Sequence, residues 1–286
     1  MKVNWNYAKL MKKGREGYIK NKKFRIFLKK IIDLKGTERI LDIGCGIGTV
    51  SRLLIKIYKN LNQIKGIDLD SNLINWGRKH WGKPENIDLM VGDVYNLQFD
   101  ENEFDVIVSF GLLEWLKEPL KALDEITRVN KNGGKILTLV IEKSTFEKLP
   151  KDKNYDNFYN EYLKGVKKFG CRIENEGNYI QGLFSKRGLK TNRNEYVFEY
   201  KTKITEGLIE MWEKSMTEEN YIEFIKSSVD FYYQFLKKIG WERDEFEGYL
   251  KEKLSFKNIM DIYKENIGEE MVQRTKMVII DLINRK

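Results

Sequence analysis

Apolar positions change their period repeatedly along the chain, and this predicts the architecture. Phe24, Phe27, Leu28, Ile31 and Leu34 recur at i, i+3, i+4, i+7 and i+10 with lysines between them, the spacing of a helix with one buried stripe. Gly36 follows as its stop. Residues 39–43 read as a short buried strand that runs into the glycine-rich stretch 44–48. Val50, Leu53, Leu54 and Ile57 return to helical spacing. The alternation then repeats: strands over 64–68, 87–91, 104–109 and 135–141, helices over 73–80 and 120–129, and a turn at Asn132, Gly133 and Gly134. Strands alternating with helices imply βαβ units and a parallel sheet covered on both faces.

The pattern changes after Glu142. Residues 144–160 are rich in Lys, Asp, Asn and aromatics and read as a loop or mobile lid. Short helices are predicted over 162–169 and 179–184, the second ending near Gly188, and a strand over 195–200. Residues 206–270 read as several amphipathic helices, and 275–280 as a late strand. The expected organisation is a basic helical segment and ligand-binding core over 1–142, a lid and sixth strand over 143–205, a helical insertion over 206–273, and a last core strand over 274–286.

Composition narrows the function classes. The 286 residues are 41% hydrophobic and 33% charged, which suits a folded globular chain. The cleanest apolar run, 136–141, is far shorter than the roughly 20 residues of a membrane span. The first residues lack an apolar core, so no secretory signal is read and a cytoplasmic location is expected. Two cysteines, Cys45 and Cys171, and one histidine, His80, leave no disulfide framework and no metal site of the usual kind. Hydrolases built on a Ser-His or Cys-His pair would depend on His80 alone. Residues 1–39 hold 13 Lys/Arg against 3 Asp/Glu, a charge of +10, while the remainder carries −1. That first segment is either a solvated helix face or a patch for an anionic partner such as nucleic acid, phosphate or a membrane surface.

The glycine stretch carries the chemistry. Its spacing is G-x-G-x-G, since position 49 is Thr, and it lies between a strand and a helix, where backbone N–H groups can approach a ligand. Asp42 lies inside the motif, where it would repel a pyrophosphate and attract a cation. Asp68 ends the second strand, where a carboxylate can accept from both hydroxyls of a ribose. Asp93 follows the third strand, where a carboxylate can accept from an adenine amino group. Each aspartate alone could be a helix cap or a loop residue. Three at successive strand ends mark the ligand-binding edge of an open α/β sheet.

Ile40-Leu41-Asp42-Ile43-Gly44-Cys45-Gly46-Ile47-Gly48 closely resembles motif I of the class I S-adenosylmethionine-dependent methyltransferases. Gly66-Ile67-Asp68-Leu69-Asp70 resembles their ribose-binding position, and Gly92-Asp93-Val94 their adenine-binding position. The stretch 104–110 with Leu113-Glu114-Trp115 resembles the fourth motif of the ubiquinone/menaquinone-biosynthesis type, and Asn132-Gly133-Gly134 also fits. The resemblance covers about residues 36–142. It implies a Rossmann-like α/β fold with a seven-stranded, mostly parallel sheet and an antiparallel last strand, plus the helical insertion. It implies S-adenosylmethionine as cofactor, held by Asp42, Gly44, Cys45, Gly46, Asp68, Leu69, Asp93, Val94 and Ser109.

A sulfonium methyl donor is already activated, so the protein must align the acceptor and exclude water. No motif names a general base. Many relatives have His after the fourth-motif glutamate, whereas this chain has Trp115. With prolines only at 84, 119 and 150, the N/D-P-P-Y/F motif of amino-group methyltransferases is absent, and neither cysteine is placed as a cytosine-C5 nucleophile. Candidate acceptor-side residues are Tyr7, Tyr18, Glu114, Trp115 and Tyr179. The aromatics Tyr155, Phe158, Tyr159 and Tyr162 either line a pocket or pack the insertion. The expected function is methyl transfer to a small-molecule acceptor. The alternatives are an RNA or protein methyltransferase docking through the basic N-terminus, and a non-catalytic S-adenosylmethionine-binding protein.

Overall fold

The computed structural model describes residues 5–58, 60–61, 63–80, 86–216 and 218–285. Seven strands, β1 (Arg39–Ile43), β2 (Gln63–Asp68), β3 (Ile87–Val91), β4 (Phe104–Phe110), β5 (Asn130–Leu149), β6 (Asn192–Lys203) and β7 (Glu270–Ile283), form one sheet in the order β3-β2-β1-β4-β5-β7-β6. β1 pairs in parallel with β2 and β4, β2 with β3, and β4 with β5, while β7 runs antiparallel. The helices are α1 (Trp5–Lys20), α2 (Lys22–Ile32), α3 (Thr49–Ile57), α4 (Ser71–His80), α5 (Pro119–Val129) and α6 (Lys153–Phe169). They continue with α7 (Glu176–Ser185), α8 (Glu206–Ser215), α9 (Glu218–Leu236), α10 (Arg243–Glu252) and α11 (Phe256–Glu265).

The chain divides into two units. The first comprises Met1–Ile141, Asn175–Tyr196 and Met277–Lys286. Ile40, Leu41, Asp42 and Ile43 are all buried, as in a strand covered on both faces, which is why apolar residues run on without alternating. Leu41, Ile43, Ile107 and Ile136 share a core with Leu123, Ile126 and Val129 of α5, Ile180, Leu183 and Phe184 of α7, and Val278 and Ile280 of β7. The α2 stripe buries Phe24, Leu28 and Ile32. Asn21 caps that helix by accepting from the Phe24 N–H at 2.8 Å, and Lys135 Nζ donates to the Ile31 and Ile32 carbonyls at its far end.

The second unit comprises Glu142–Glu174 and Val197–Lys276. Phe158 stacks on Phe246 with ring centroids 5.7 Å apart and meets Tyr232 edge-on at 4.9 Å. Tyr162 contacts Phe231, Tyr232 and Phe235 of α9. A Cβ on Gly165 would lie 2.6 Å from the Phe235 carbonyl oxygen, so only glycine lets α6 and the end of α9 approach this closely. The aromatics Tyr155, Phe158, Tyr159 and Tyr162 thus pack among themselves and against the inserted helices.

Three segments differ from the sequence expectation. Residues 144–149 continue β5, and 153–169 form one helix, where a loop or lid and only a short helix were expected. Asp152 caps α6 by accepting from the Tyr155 N–H at 3.0 Å, and Phe158, Tyr162 and Val166 are buried at i, i+4 and i+8. The interspersed Lys, Asp and Asn residues lie on the other faces of that helix and masked its stripe. The expected turn at 132–134 lies inside β5, where Gly133 has φ 80° and the register with β4 shifts between Phe104 and Val106. Finally, α1 has no strong apolar period, and its sequence does not announce it.

Among the described residues, no helix is long and apolar enough to cross a membrane. Asn284 fastens the end of β7: its N–H donates to Gly134 O at 2.7 Å, its carbonyl accepts from Gly133 N at 2.6 Å, and its buried Nδ2 donates to Thr127 O at 3.1 Å. Asn284→Ala should lower stability by about 1–3 kcal/mol, through the buried carbonyls it leaves unsatisfied. Urea unfolding should show a lower midpoint with an unchanged slope. An unshifted midpoint would contradict this role.

Candidate functional site

The site grows out of the turn between β1 and α3. After Ile43 the backbone passes through Gly44 (φ 68°), Gly46 (φ 54°) and Gly48 (φ 80°), the left-handed region in which a side chain is strained. Gly48 is also crowded, since a Cβ there would lie 3.0 Å from Leu89 Cδ1. The parallel registers bring the carboxyl ends of four strands to this edge: Ile43 is aligned with Ile67 and with Ser109, and Asp68 with Val91.

Asp42 is fully buried. Its Oδ2 accepts from Ser51 N at 3.0 Å and from Ser51 Oγ at 2.7 Å, which ties β1 to the first turn of α3. Its Oδ1 is buried without a hydrogen-bond partner. Burial pushes the Asp42 carboxyl up to about 6, against the lowering effect of the Ser51 bonds. Asp68 Oδ2 accepts from Gly46 N at 2.8 Å and Oδ1 from Asp70 N at 2.9 Å, so this carboxylate fixes the glycine loop from the neighbouring strand. Burial raises its pKa as well, and the two aspartates interact: Asp68 raises that of Asp42.

The other expected cofactor residues fall along the same edge. Leu69 is 71% exposed directly after Asp68, an apolar side chain left open beside a carboxylate. Asp93 is exposed and accepts from Tyr95 N at 2.9 Å, while Val94 is buried in the core below it. Ser109 is buried and its hydroxyl donates to Thr138 Oγ1 at 3.2 Å. Cys45 is buried, its N–H donates to Ile67 O at 2.9 Å, and its thiol pKa is raised by burial first and by the charges of Asp42 and Asp68 next. A thiol held protonated in this way is a packing group, not a nucleophile.

Of the acceptor-side candidates, Tyr18 is placed against Phe110, edge-on at 5.7 Å, and burial pushes its hydroxyl up to about 12. Glu114 is buried, and a Cβ on Gly111 would lie 3.7 Å from its Oε1. Trp115 is half-buried in the short helical turn Leu113–Trp115. Tyr179, on α7, packs against the core. Tyr7 is in α1, but its side chain lies outside the described residues.

The sequence reading missed Arg15. Its guanidinium carbon lies 5.0 Å from the centroid of the Phe110 ring, and its charge lowers the pKa of Asp42, Asp68, Cys45 and Tyr18. Only its place three residues before Tyr18, on the same helix face, could have signalled it.

This donor set fits a cationic nucleoside. A buried carboxylate oxygen without a partner beside a left-handed glycine loop suits a ligand that brings its own cationic donor. The Asp42 and Asp68 pair opposes a pyrophosphate in the same position. S-adenosylmethionine, with a sulfonium, an amino group and a ribose, matches.

Comparison with known proteins agrees. A family model for a methyltransferase domain matches residues 41–138. A demethylmenaquinone methyltransferase of Staphylococcus saprophyticus is 32% identical over 126 residues, 44% of this chain and 54% of that one. The chain spans about half the length of the curated relatives it matches. A Bacillus halodurans protein assigned as a methyltransferase superposes with TM-score 0.51 at 16% identity, covering 92% of this chain and 99% of its own. The cyclase SpnF superposes with TM-score 0.51 at 16% identity, covering 92% and 81%. Likeness at this identity shows the fold alone. Residues 41–138 thus match the methyltransferase domain family, and the chain shares the fold of the methyltransferase structures it superposes on.

Proposed function

We propose that the protein transfers a methyl group from S-adenosylmethionine to a small-molecule acceptor. The observation that carries this reading is the buried Asp42 with the half-buried Asp68, beside three left-handed glycines at adjoining strand ends. Asp42 supplies negative charge for the cationic end of the cofactor. Asp68 spends one acceptor site of each oxygen on Gly46 and Asp70, and a carboxylate offers about four such sites, so two remain for ribose hydroxyls. Leu69 offers an apolar face and Asp93 an acceptor for the adenine. The chemistry that S-adenosylmethionine supplies when bound is an activated methyl on sulfur.

Two groups at the site, Tyr18 and Cys45, are poor bases at neutral pH. Tyr18 stays protonated, Cys45 stays protonated, and Trp115 stands where relatives place a histidine. An acceptor that brings an acidic proton or an activated carbon suits this site, with the protein contributing alignment and dryness. The demethylmenaquinone named for the relatives is a small molecule, in keeping with this reading. A second reading rests on the basic first segment. Lys22, Lys23, Lys29 and Lys30 are exposed on α2 and could dock RNA. RNA binding with a log-log salt slope of several units would favour it over the small-molecule reading.

Two outcomes test the cofactor site. Asp68→Ala removes the ribose acceptor and loosens Gly46, so calorimetry should show at least a tenfold loss of S-adenosylmethionine affinity. Unchanged affinity would remove Asp68 from the site. Asp42 gives a pH signature. Its folded pKa lies above the ordinary carboxylate value, so the free protein loses stability as pH rises from about 4 to about 6. A cationic ligand favours the ionised form, so affinity should fall by up to about tenfold per unit as pH drops below about 6. Asp42→Asn should flatten that dependence. A pH profile identical to the wild type would rule out the assigned role of Asp42.

A further inference from the structure

The second unit holds a cation that its own fold leaves unpaired. Along β5, Glu147 and Lys148 take opposite faces of the strand. Glu147 Oε2 accepts from Arg274 Nη1 at 3.1 Å. Lys148 shares its face with Phe146, and both side chains enter a group of aromatic rings. The Phe146 ring centroid lies 6.0 Å from that of Tyr155 and 5.1 Å from that of Tyr159. The half-buried Lys148 Nζ lies 4.7 Å from the Tyr155 centroid and 5.9 Å from the Tyr263 centroid. Trp212 of α8 stands beside Tyr263, with centroids 5.0 Å apart. Strand β5 and helices α6, α8 and α11 thus surround one ammonium with aromatic side chains.

The polar groups of this cluster are donors that lack acceptors. Among the described residues, no oxygen lies within hydrogen-bond or ion-pair reach of the Lys148 ammonium, and the hydroxyls of Tyr155 and Tyr263 have no hydrogen-bond partner. Neighbouring tyrosines differ: Tyr159 donates to Lys143 O at 2.9 Å, and Tyr249 to Asn154 O at 2.7 Å. Neither the ammonium nor the two hydroxyls are sealed from solvent. Burial raises the pKa of both tyrosines, which keeps them donors, and lowers that of Lys148. Ring faces attract an ammonium but do not replace a hydrogen-bond acceptor, so an incoming anion relieves the cost of holding it there. Asp152 and Asp156 act on Lys148 from the start of α6 without reaching it, and Asp152 Oδ1 accepts from the Tyr155 N–H at 3.0 Å. Their charge weighs against a dianion such as a phosphate ester and leaves room for a single negative charge. We propose that Lys148, flanked by Tyr155 and Tyr263, binds a small aromatic monoanion, its ring against the aromatic side chains and its charged oxygen at the ammonium. The site uses none of the residues assigned to the cofactor and stands apart from the methyl-transfer reading.

The test varies the charge on a constant ring. NMR titration of the full chain, without S-adenosylmethionine, measures Kd for benzoate, neutral benzamide and phenyl phosphate. The wild type should bind benzoate about tenfold or more tightly than benzamide, and more tightly than phenyl phosphate. Lys148→Met keeps an apolar stem against the rings and removes the charge. It should erase the preference for benzoate and leave benzamide unchanged, while Lys148→Arg should keep part of that preference. Tyr263→Phe keeps the ring and removes one donor, so it should weaken benzoate more than benzamide. That variant carries the test if Lys148→Met lowers the urea midpoint. Equal Kd values for benzoate and benzamide in the wild type would overturn the proposal, as would tightest binding of phenyl phosphate or binding of none of the probes. A Lys148→Met variant that folds and retains the preference, or an equal loss for both ligands in Tyr263→Phe, would also overturn it.

Discussion

A buried carboxylate governs the site. Asp42 lies one residue before the end of β1, inside the protein, and its bonds to the Ser51 N–H and hydroxyl tie β1 to the first turn of α3. The intervening loop must then turn back within a few residues, which requires the left-handed conformations of Gly44, Gly46 and Gly48. Asp68 fixes the middle of that loop through Gly46 N–H from the adjoining strand. The arrangement strains against water: burial raises both carboxyl pKa values, and one oxygen of Asp42 goes unsatisfied. A carboxylate buried in this way is costly without a partner, which marks the position as a functional one.

The same fold carries different reactions, as SpnF, named a cyclase, illustrates beside proteins named as methyltransferases. What commits this chain is the sign and placement of charge at the strand ends. Asp42 and Asp68 set negative charge beside the glycine loop, and Arg15 of α1 lies over the Phe110 ring, its guanidinium carbon 5.0 Å from the centroid. Around it, Tyr18 packs edge-on against Phe110, and burial raises both the Tyr18 hydroxyl and the Cys45 thiol.

Much of the core was legible in the sequence because strand and loop chemistry there is local. The run from Ile40 to Gly48 places burial, charge and positive φ in nine consecutive residues, and Asp68 and Asp93 follow at strand ends that their apolar runs define. Two parts were not legible. The helix over 153–169 has its apolar stripe made of tyrosines and phenylalanines among lysines, a composition that reads as loop until Phe158 and Tyr162 are seen against α9 and α10. Arg15 belongs to no motif, and its meaning depends on a contact with Phe110, 95 residues away, which no local pattern encodes.

The central claim is that the glycine loop and its paired carboxylates select a cationic nucleoside over one bearing a pyrophosphate. Competition calorimetry on the wild-type chain tests it most directly, with S-adenosylmethionine titrated in the absence and presence of NAD. The account predicts one site for S-adenosylmethionine, with affinity unaffected by excess NAD. Binding of NAD at that site in preference to S-adenosylmethionine would contradict it.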